Sequence, residues 1–288
     1  MGWVESLQRS IDFMEDHLLE DISIDEIARV GSTSKFHFQR TFAILTGISI
    51  GEYLRQRRLS LAAQELTSTD VKIIDLAYKY GYDTPEAFTK AFRKQHGITP
   101  TEARKNLGKL NSYNRLVIQV SLKGVEPMRY KIVEKEAFQV VGVKREFSLV
   151  NGENQREIPK MWDEVNGSGQ DKELYRLNNG QLKGILGVCV DNREGQSQEK
   201  MDYWIAVDHI GELPDGLESL SIPSSKWAVF EVHGPMPHSM QNVWKQIFQE
   251  WFPSHPYEHA GTPDIELYSE ENPFNSDYYS EIWIPLKK

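Results

Sequence analysis

The 288-residue sequence contains a single cysteine, Cys189, which excludes an internal disulfide and any zinc site built from several thiolates. Long apolar runs are missing too. The hydrophobic fraction is 39% and the mean hydropathy −0.52, and uninterrupted hydrophobic stretches fall far short of the roughly 20 residues that cross a bilayer. The opening "MGWVESLQRSIDFMEDHLLED" carries acids throughout and lacks the basic-then-apolar order of a secretory signal, so a cytoplasmic address is expected. The chain offers no P-loop, no G-x-G-x-x-G fingerprint and no G-x-S-x-G elbow. "NGSG" at 166–169 has neither the lysine nor the following helix that a phosphate site requires. The H-x-x-E-H pattern at His255–His259 is surrounded by Pro253, Pro256, Gly261 and Pro263. Zinc binding there needs both histidines on one helical face, and the prolines favour a loop. No metal, cofactor or catalytic group is expected from these motifs.

Positive charge is also scarce in total: 33 Lys and Arg face 42 Asp and Glu, a net charge of −9. Its placement is uneven. Residues 1–30 carry 2 basic and 8 acidic side chains, residues 31–110 carry 13 and 7, and residues 111–288 carry 18 and 27. A locally basic stretch ahead of an acidic remainder implies a basic working surface joined to a module with another task. The length leaves room for two cores, and two domains are expected.

What is present begins with a repeat. "SKFHFQRTF" (Ser34–Phe42) and "TPEAFTKAF" (Thr84–Phe92) align Ser34 with Thr84, Phe38 with Phe88, Arg40 with Lys90 and Phe42 with Phe92. Before each lies a short helical segment and a turn, "IDEIARVGSTS" and "IIDLAYKYGYDT", in which Ala28 and Ala77 are 49 apart rather than 50. Ser34 and Thr84 are N-cap types, Pro85 suits a first helical position, and Gly31 and Gly81 mark the turn that ends the preceding helix. Each copy reads as helix, tight turn, helix, with its phenylalanines inward and a polar, partly basic flank outward. Between the copies, "ISIGEYLRQRRLSLAAQEL" reads as one long amphipathic helix. Tyr53, Leu54, Leu61 and Leu66 are its expected buried contacts, and Arg55, Arg57 and Arg58 are expected in solvent or at phosphates. Two exposed helices on a rigid spacer suit successive major-groove segments of a duplex, about 34 Å apart.

The stretch "IARVGSTSKFHFQRTFAILTG" followed by "IIDLAYKYGYDTPEAFTKAFRKQHGITPTEAR" resembles the AraC-type tandem helix-turn-helix domain, over roughly residues 5–106. The resemblance implies that the first recognition helix reads bases, here with Ser34, Lys35, Phe36, Gln39 and Arg40. The second, with Thr84, Glu86, Thr89 and Lys90, makes base or positioning contacts. Gln39 suits an adenine edge, and Arg40 suits guanine or a phosphate. Phe36 is equally a core residue or a contact to a thymine methyl.

The helical pattern ends after Thr101, and strand-like runs such as "RLVIQVSLKG" begin. The expected division is an all-α tandem helix-turn-helix domain at 1–108, a linker at 109–127 and an α+β domain at 128–288. That second domain shows its own repeat of strand, helix, strand, strand. "FQVVGVKREF", "EIPKMWDEVNG", "GILGVCV" and "DYWIAVD" form one half; "WAVFEVHGP", "HSMQNVWKQIFQEWF", "PDIELYS" and "SEIWIPL" form the other. Two such units about a pseudo-twofold give a sheet with helices on one side and a cleft between the halves. In "DIELY" and "YSEIWIPL" the alternation sorts Ile265, Leu267, Ile282, Ile284 and Leu286 onto an aliphatic face expected to meet the helices. Asp264, Glu266, Tyr268, Tyr279, Glu281 and Trp283 then form the other face. Six of seven tryptophans lie beyond residue 150, and an aromatic wall beside a carboxylate suits a flat or lipophilic cation.

"FQVVGVKREF", the "MWDEV" helix, "IELYSE" and "EIWIPL" resemble the GyrI-like effector-binding domain over about residues 128–288. In that family a strand glutamate in an aromatic pocket engages cationic or amphipathic compounds, and Glu266 is the matching position. Tyr268, Trp283 and Tyr203 are the implied walls, Trp162 and Trp244 the implied closure, and Glu281 has either a structural or a ligand role. Together the resemblances imply a bacterial, cytoplasmic transcription regulator rather than an enzyme. Its partners would be double-stranded promoter DNA and a small lipophilic cationic or amphipathic effector, with RNA polymerase as a further partner and no membrane. Two alternatives remain open: hydrolysis of the ligand with Glu266 as general base, and ligand-independent DNA binding with a C-terminal domain that recruits a partner.

Overall fold

The computed structural model describes residues 3–118, 127–148, 153–191 and 200–287. By its contacts the chain forms two compact units, residues 3–38 with 48–119 and residues 39–47 with 120–288. Among the described residues no helix is long and apolar enough to cross a membrane.

The first unit is helical: α1 (Trp3–Asp16), α2 (Ile24–Val30), the start of α3 (Lys35–Thr46), α4 (Ile50–Ser68), α5 (Ile73–Lys79), α6 (Pro85–His96) and α7 (Pro100–Arg104). Short polar residues stop and start these helices, because the first N–H groups of a helix need acceptors from outside it. Ser23 and Thr99 form reciprocal capping boxes with Glu26 and Glu102, and Thr84 accepts from the Ala87 N–H. The matched positions of the two helix-turn-helix copies are buried alike: Ala28 and Ala77, Phe38 and Phe88, Phe42 and Phe92. Around the second copy, Leu59, Ala62, Ala63 and Leu66 of α4 pack with Leu76, Ala77, Tyr80, Phe88, Phe92 and Ala103. Tyr53 is buried as expected, and Leu54 and Leu61 are half-buried.

The two turn glycines differ in their physics. Gly81 has φ 81°, a left-handed backbone that glycine adopts without penalty. In the first copy that backbone falls on Ser32, at φ 55°, and Gly31 has an ordinary φ of −79°. Gly31 answers a close approach instead: a Cβ there would lie 2.5 Å from Ser10 Oγ, which donates to the Ile27 carbonyl at 2.9 Å.

Arg57 and Arg58, expected in solvent or at phosphates, tie the unit together. Arg57 donates from Nε and Nη2 to the Glu15 carboxylate, each at 2.8 Å, and from Nη1 to the Tyr113 carbonyl at 2.6 Å. Arg58 donates to the carbonyls of Leu18 and Glu20, while Arg55 pairs with Glu52. Residues 111–118 carry no strand. They run along the helices, with Tyr113 N–H donating to Ser60 Oγ, Leu116 N–H to the Tyr53 hydroxyl and Ile118 N–H to Gln8 Oε1. The rest of the expected strand-like run, 119–124, lies outside the described residues.

Burial alone would raise the Glu15 pKa, but hydrogen bonds from Arg57 and Tyr53 outweigh it and hold the carboxyl below its ordinary value of 4.5. A folded-state value below the unfolded one means the stabilisation is present above pH 4.5 and is lost as pH falls through the folded-state value. Glu15→Gln is therefore expected to lower unfolding stability at pH 7 by about 2 kcal/mol. Urea titrations at stepped pH should show the difference from wild type shrinking below about pH 4.5.

The second unit is built on an antiparallel sheet of β1 (Tyr130–Lys135), β2 (Phe138–Ser148), β3 (Ile185–Asp191), β4 (Lys200–Asp208), β5 (Glu218–Ile222), β6 (Ser225–His233), β7 (Asp264–Tyr268) and β8 (Tyr279–Leu286). The strand order is β1-β6-β8-β7-β3-β4-β2-β5. Helices α8 (Glu153–Ser168) and α9 (Gln170–Leu177) join β2 to β3; α10 (His238–Gln246), a π-helical turn (Ile247–Trp251) and the short α11 (Phe252–Ser254) lead towards β7. His255 to Pro263 form no helix, so the two histidines of the H-x-x-E-H pattern share no helical face.

Register corrects the expected sorting of the sheet's faces. Residues opposite one another in an antiparallel pair point to the same side, and β7 and β8 pair Ile265 with Trp283 and Glu266 with Ile282. Trp283 therefore shares a face with Ile265 and Leu267, in a core with Val188, Trp204, Trp227 and Val229. The Glu266 face is shared with Ile282, and it is this face that Trp162 of α8 and Trp244 of α10 meet.

Candidate functional site

On β7 the alternation that sends Ile265 and Leu267 into the core sends Asp264, Glu266 and Tyr268 to the helix-covered face. There Glu266 Oε1 accepts from the Trp244 indole N–H at 2.7 Å, and Oε2 accepts from the Tyr268 hydroxyl at 2.9 Å. Trp162 meets Tyr268 edge-on at 5.0 Å, and its N–H donates to the Tyr203 hydroxyl at 2.9 Å. Gly187, opposite Glu266 on β3, keeps the floor open. A Cβ there would lie 2.4 Å from the Tyr203 hydroxyl and 3.4 Å from Glu266 Oε2.

A cation already occupies this arrangement. Arg40 of α3, part of the second unit by its contacts, donates from Nη1 to Asp264 Oδ2 at 3.0 Å and from Nη2 to Glu266 Oε1 at 3.2 Å. Its guanidinium carbon lies 3.9 Å over the Trp244 ring. The Arg40 and Glu266 side chains are each 14% exposed, and Asp264 only 1%. Asp264 Oδ1 also meets His259 Nε2 at 2.6 Å. Burial, and next the charge of Glu266, push the Tyr203 and Tyr268 hydroxyls well above the usual phenol range. Burial likewise pushes the Cys189 thiol up to about 12, against the lowering effect of Arg40. The site thus sets the Asp264 and Glu266 side chains, paired with Arg40, among indole rings and among hydroxyls and a thiol that burial keeps protonated. In this structure that combination holds the planar Arg40 guanidinium through charge and ring quadrupole together.

The structure brings together Glu266, Tyr268, Tyr203, Trp162 and Trp244, and leaves out Trp283. On the opposite face Trp283 donates its N–H to Glu281 Oε2 at 2.7 Å, and Glu281 Oε1 accepts from the Tyr279 hydroxyl at 2.6 Å. Glu281 thereby has a structural hydrogen-bonding role. Asp264, placed beside Glu266 by its spacing of two on the strand, enters the site through its pairing with Arg40, which the sequence alone did not indicate.

The expected nucleic-acid residues separate by copy. On α3, Phe36 is 6% exposed and part of the core, Ser34 Oγ accepts from the His37 N–H as a cap, and Lys35 pairs with Asp25 at 3.4 Å. Gln39 is half-buried, and Arg40, expected on an open flank, is held by Asp264 and Glu266. On α6 the flank is open: Thr84, Glu86 and Lys90 are exposed and Thr89 is half-buried. Glu86, Thr89 and Lys90 line one surface concavity with Pro85, Arg93, Lys94 and Thr99. Arg93 and Lys94, just past the nine-residue repeat that ends at Phe92, are exposed as well. Arg93 stands seven residues after Glu86 and three after Lys90, the spacing of one helical face.

Comparison with known proteins matches residues 131–286, more than half the chain, to the integron-associated effector binding protein family, and residues 18–106 to a helix-turn-helix domain. The regulatory protein SoxS of Salmonella typhimurium is 36% identical over 107 residues, 37% of this chain and 100% of SoxS. The uncharacterized HTH-type transcriptional regulator YbfP of Bacillus subtilis is 40% identical over 112 residues, 39% of this chain but only 38% of its own length. Among solved structures, SAV2435 bound to tetraphenylphosphonium is 28% identical with a TM-score of 0.50, covering 56% of this chain and 94% of SAV2435. The chain belongs to the integron-associated effector binding protein family and carries an AraC-type helix-turn-helix domain ahead of its effector-binding domain.

Proposed function

We propose that this protein is a sequence-specific DNA-binding transcription regulator whose second unit senses a small lipophilic cation. The carrying observation is the Glu266 carboxylate, ringed by Trp244, Tyr268, Tyr203 and Trp162 and already charge-paired with a planar cation stacked on Trp244. Tetraphenylphosphonium, bound by the similar SAV2435, is a ligand of this chemistry: a delocalised cation wrapped in aromatic rings. The strand order supports reading β2–β4 and β6–β8 as two related halves meeting at the β7–β3 pair, where Glu266 sits. The exposed α6 face, with Lys90, Arg93 and Lys94, is the proposed DNA contact. Both Glu266 oxygens are engaged by side chains, Oε1 by Trp244 and Arg40 and Oε2 by Tyr268, which supports reading the carboxylate as a counter-charge for a bound cation rather than as a general base.

Tryptophan fluorescence of the purified protein titrated with tetraphenylphosphonium tests the sensor half. Saturable quenching with unchanged ligand is expected, and the absence of binding, or turnover of an electrophilic analogue that stops in Glu266→Gln, would count against it. Salt titration of binding to a duplex selected from a random-sequence pool tests the other half. Affinity should fall steeply with log salt, and a slope near zero would sink the DNA-binding reading.

A further inference from the structure

Resting on that reading of the Glu266 pocket, we propose that Arg40 is a built-in competitor for the effector, so a cation binds only by displacing it, and residues 39–47 lose that anchor as the cation enters. The guanidinium lies 3.9 Å over the Trp244 ring and bonds both Asp264 and Glu266, the same ring face and carboxylate an aromatic cation would use. Two cations cannot occupy that space, and two positive charges could not share one Glu266 at such short range without strong repulsion. The occupant is also a residue of the stretch whose sequence pattern reads bases: Arg40 stands on α3, and residues 39–47 belong by their contacts to the second unit. While Arg40 stays there, with each terminal nitrogen on a carboxylate and the side chain largely buried, its guanidinium is not presented to a base or phosphate. A ligand that favours the vacated pocket shifts residues 39–47 towards a state in which Arg40 is free, and duplex DNA that engages Arg40 raises ligand affinity by the same factor.

Competition also sets selectivity. An effector must outcompete a forked guanidinium held by two carboxylates, so a weakly basic or uncharged aromatic compound gains too little from Glu266 to enter.

The test compares tetraphenylphosphonium binding to the full-length chain and its Arg40→Ala and Arg40→Lys variants by tryptophan quenching. If Arg40 fills the site about nine-tenths of the time, Arg40→Ala should bind about tenfold tighter, because apparent affinity falls with the fraction of competent protein. Arg40→Lys, which keeps the charge but loses the fork and the stacking plane, should fall between the two. Unchanged or weaker binding in a folded Arg40→Ala variant, with wild type still binding, overturns the competitor and leaves the pocket reading intact. Failure of wild type and variant alike overturns both. Should Arg40→Ala not fold, hydrogen exchange of wild type decides. Peptides covering residues 39–47 should exchange faster at saturating tetraphenylphosphonium, and unchanged protection there overturns the proposal.

Discussion

Glu266→Gln should weaken tetraphenylphosphonium binding by at least about tenfold, the equivalent of about 1.4 kcal/mol. Glutamine preserves the volume and can still accept from Trp244 or Tyr268, so the aromatic setting survives while the buried counter-charge disappears. The loss in wild type is muted because the same substitution removes one of the two carboxylates that hold Arg40, so the resident cation is weakened along with the incoming one. In an Arg40→Ala background that compensation is gone. There the same change is expected to cost about 100-fold, close to the 1.5–3 kcal/mol typical of an interaction with a charged partner. Calorimetry on the four proteins of this cycle separates the two effects. Equal affinity with and without the Glu266 charge would mean that the pocket recognises shape alone.

Replacing Lys90, Arg93 and Lys94 together by alanine should reduce DNA affinity at low salt by two to three orders of magnitude and flatten the log–log salt slope by about 3, since each phosphate contact contributes about 0.9. All three side chains are exposed on α6, and the residues that pack that helix, Phe88 and Phe92, are untouched. The helical signal and the melting temperature should therefore stay near wild type. A variant with an unaltered salt slope would remove α6 from the DNA interface.

Much of the first unit is written in local chemistry. Caps at Ser34 and Thr84, the phenylalanine pairs Phe38–Phe42 and Phe88–Phe92 and the glycine after α5 each act within about one helical turn, so the chain alone places them. Less legible is why Gly31 and Gly81 are both present. One serves a close approach to Ser10 and the other a left-handed backbone, and only the packed helices separate those reasons. Arg57 and Arg58 were equally opaque, because Glu15, Tyr113, Leu18 and Glu20 lie far from them in sequence and near them in space.

In the second unit the period of two along β7 was enough to put Asp264, Glu266 and Tyr268 on one face, and Ile265 with Leu267 on the other. It could not say which face of β8 lies beside them. Parity is a property of one strand, whereas the side shared by two strands depends on hydrogen-bond register, and a slip of one residue exchanges every neighbour. Hence Trp283 left the pocket that Glu266 and Tyr268 form. The chain by itself determined two helix-turn-helix copies and a strand glutamate beside a tyrosine, since both follow from spacing along a single element. Tertiary structure decided that the glutamate faces Trp244, and that Arg40, more than two hundred positions away, pairs with it over that ring: burial of a charge is settled by whichever partners the fold brings to it.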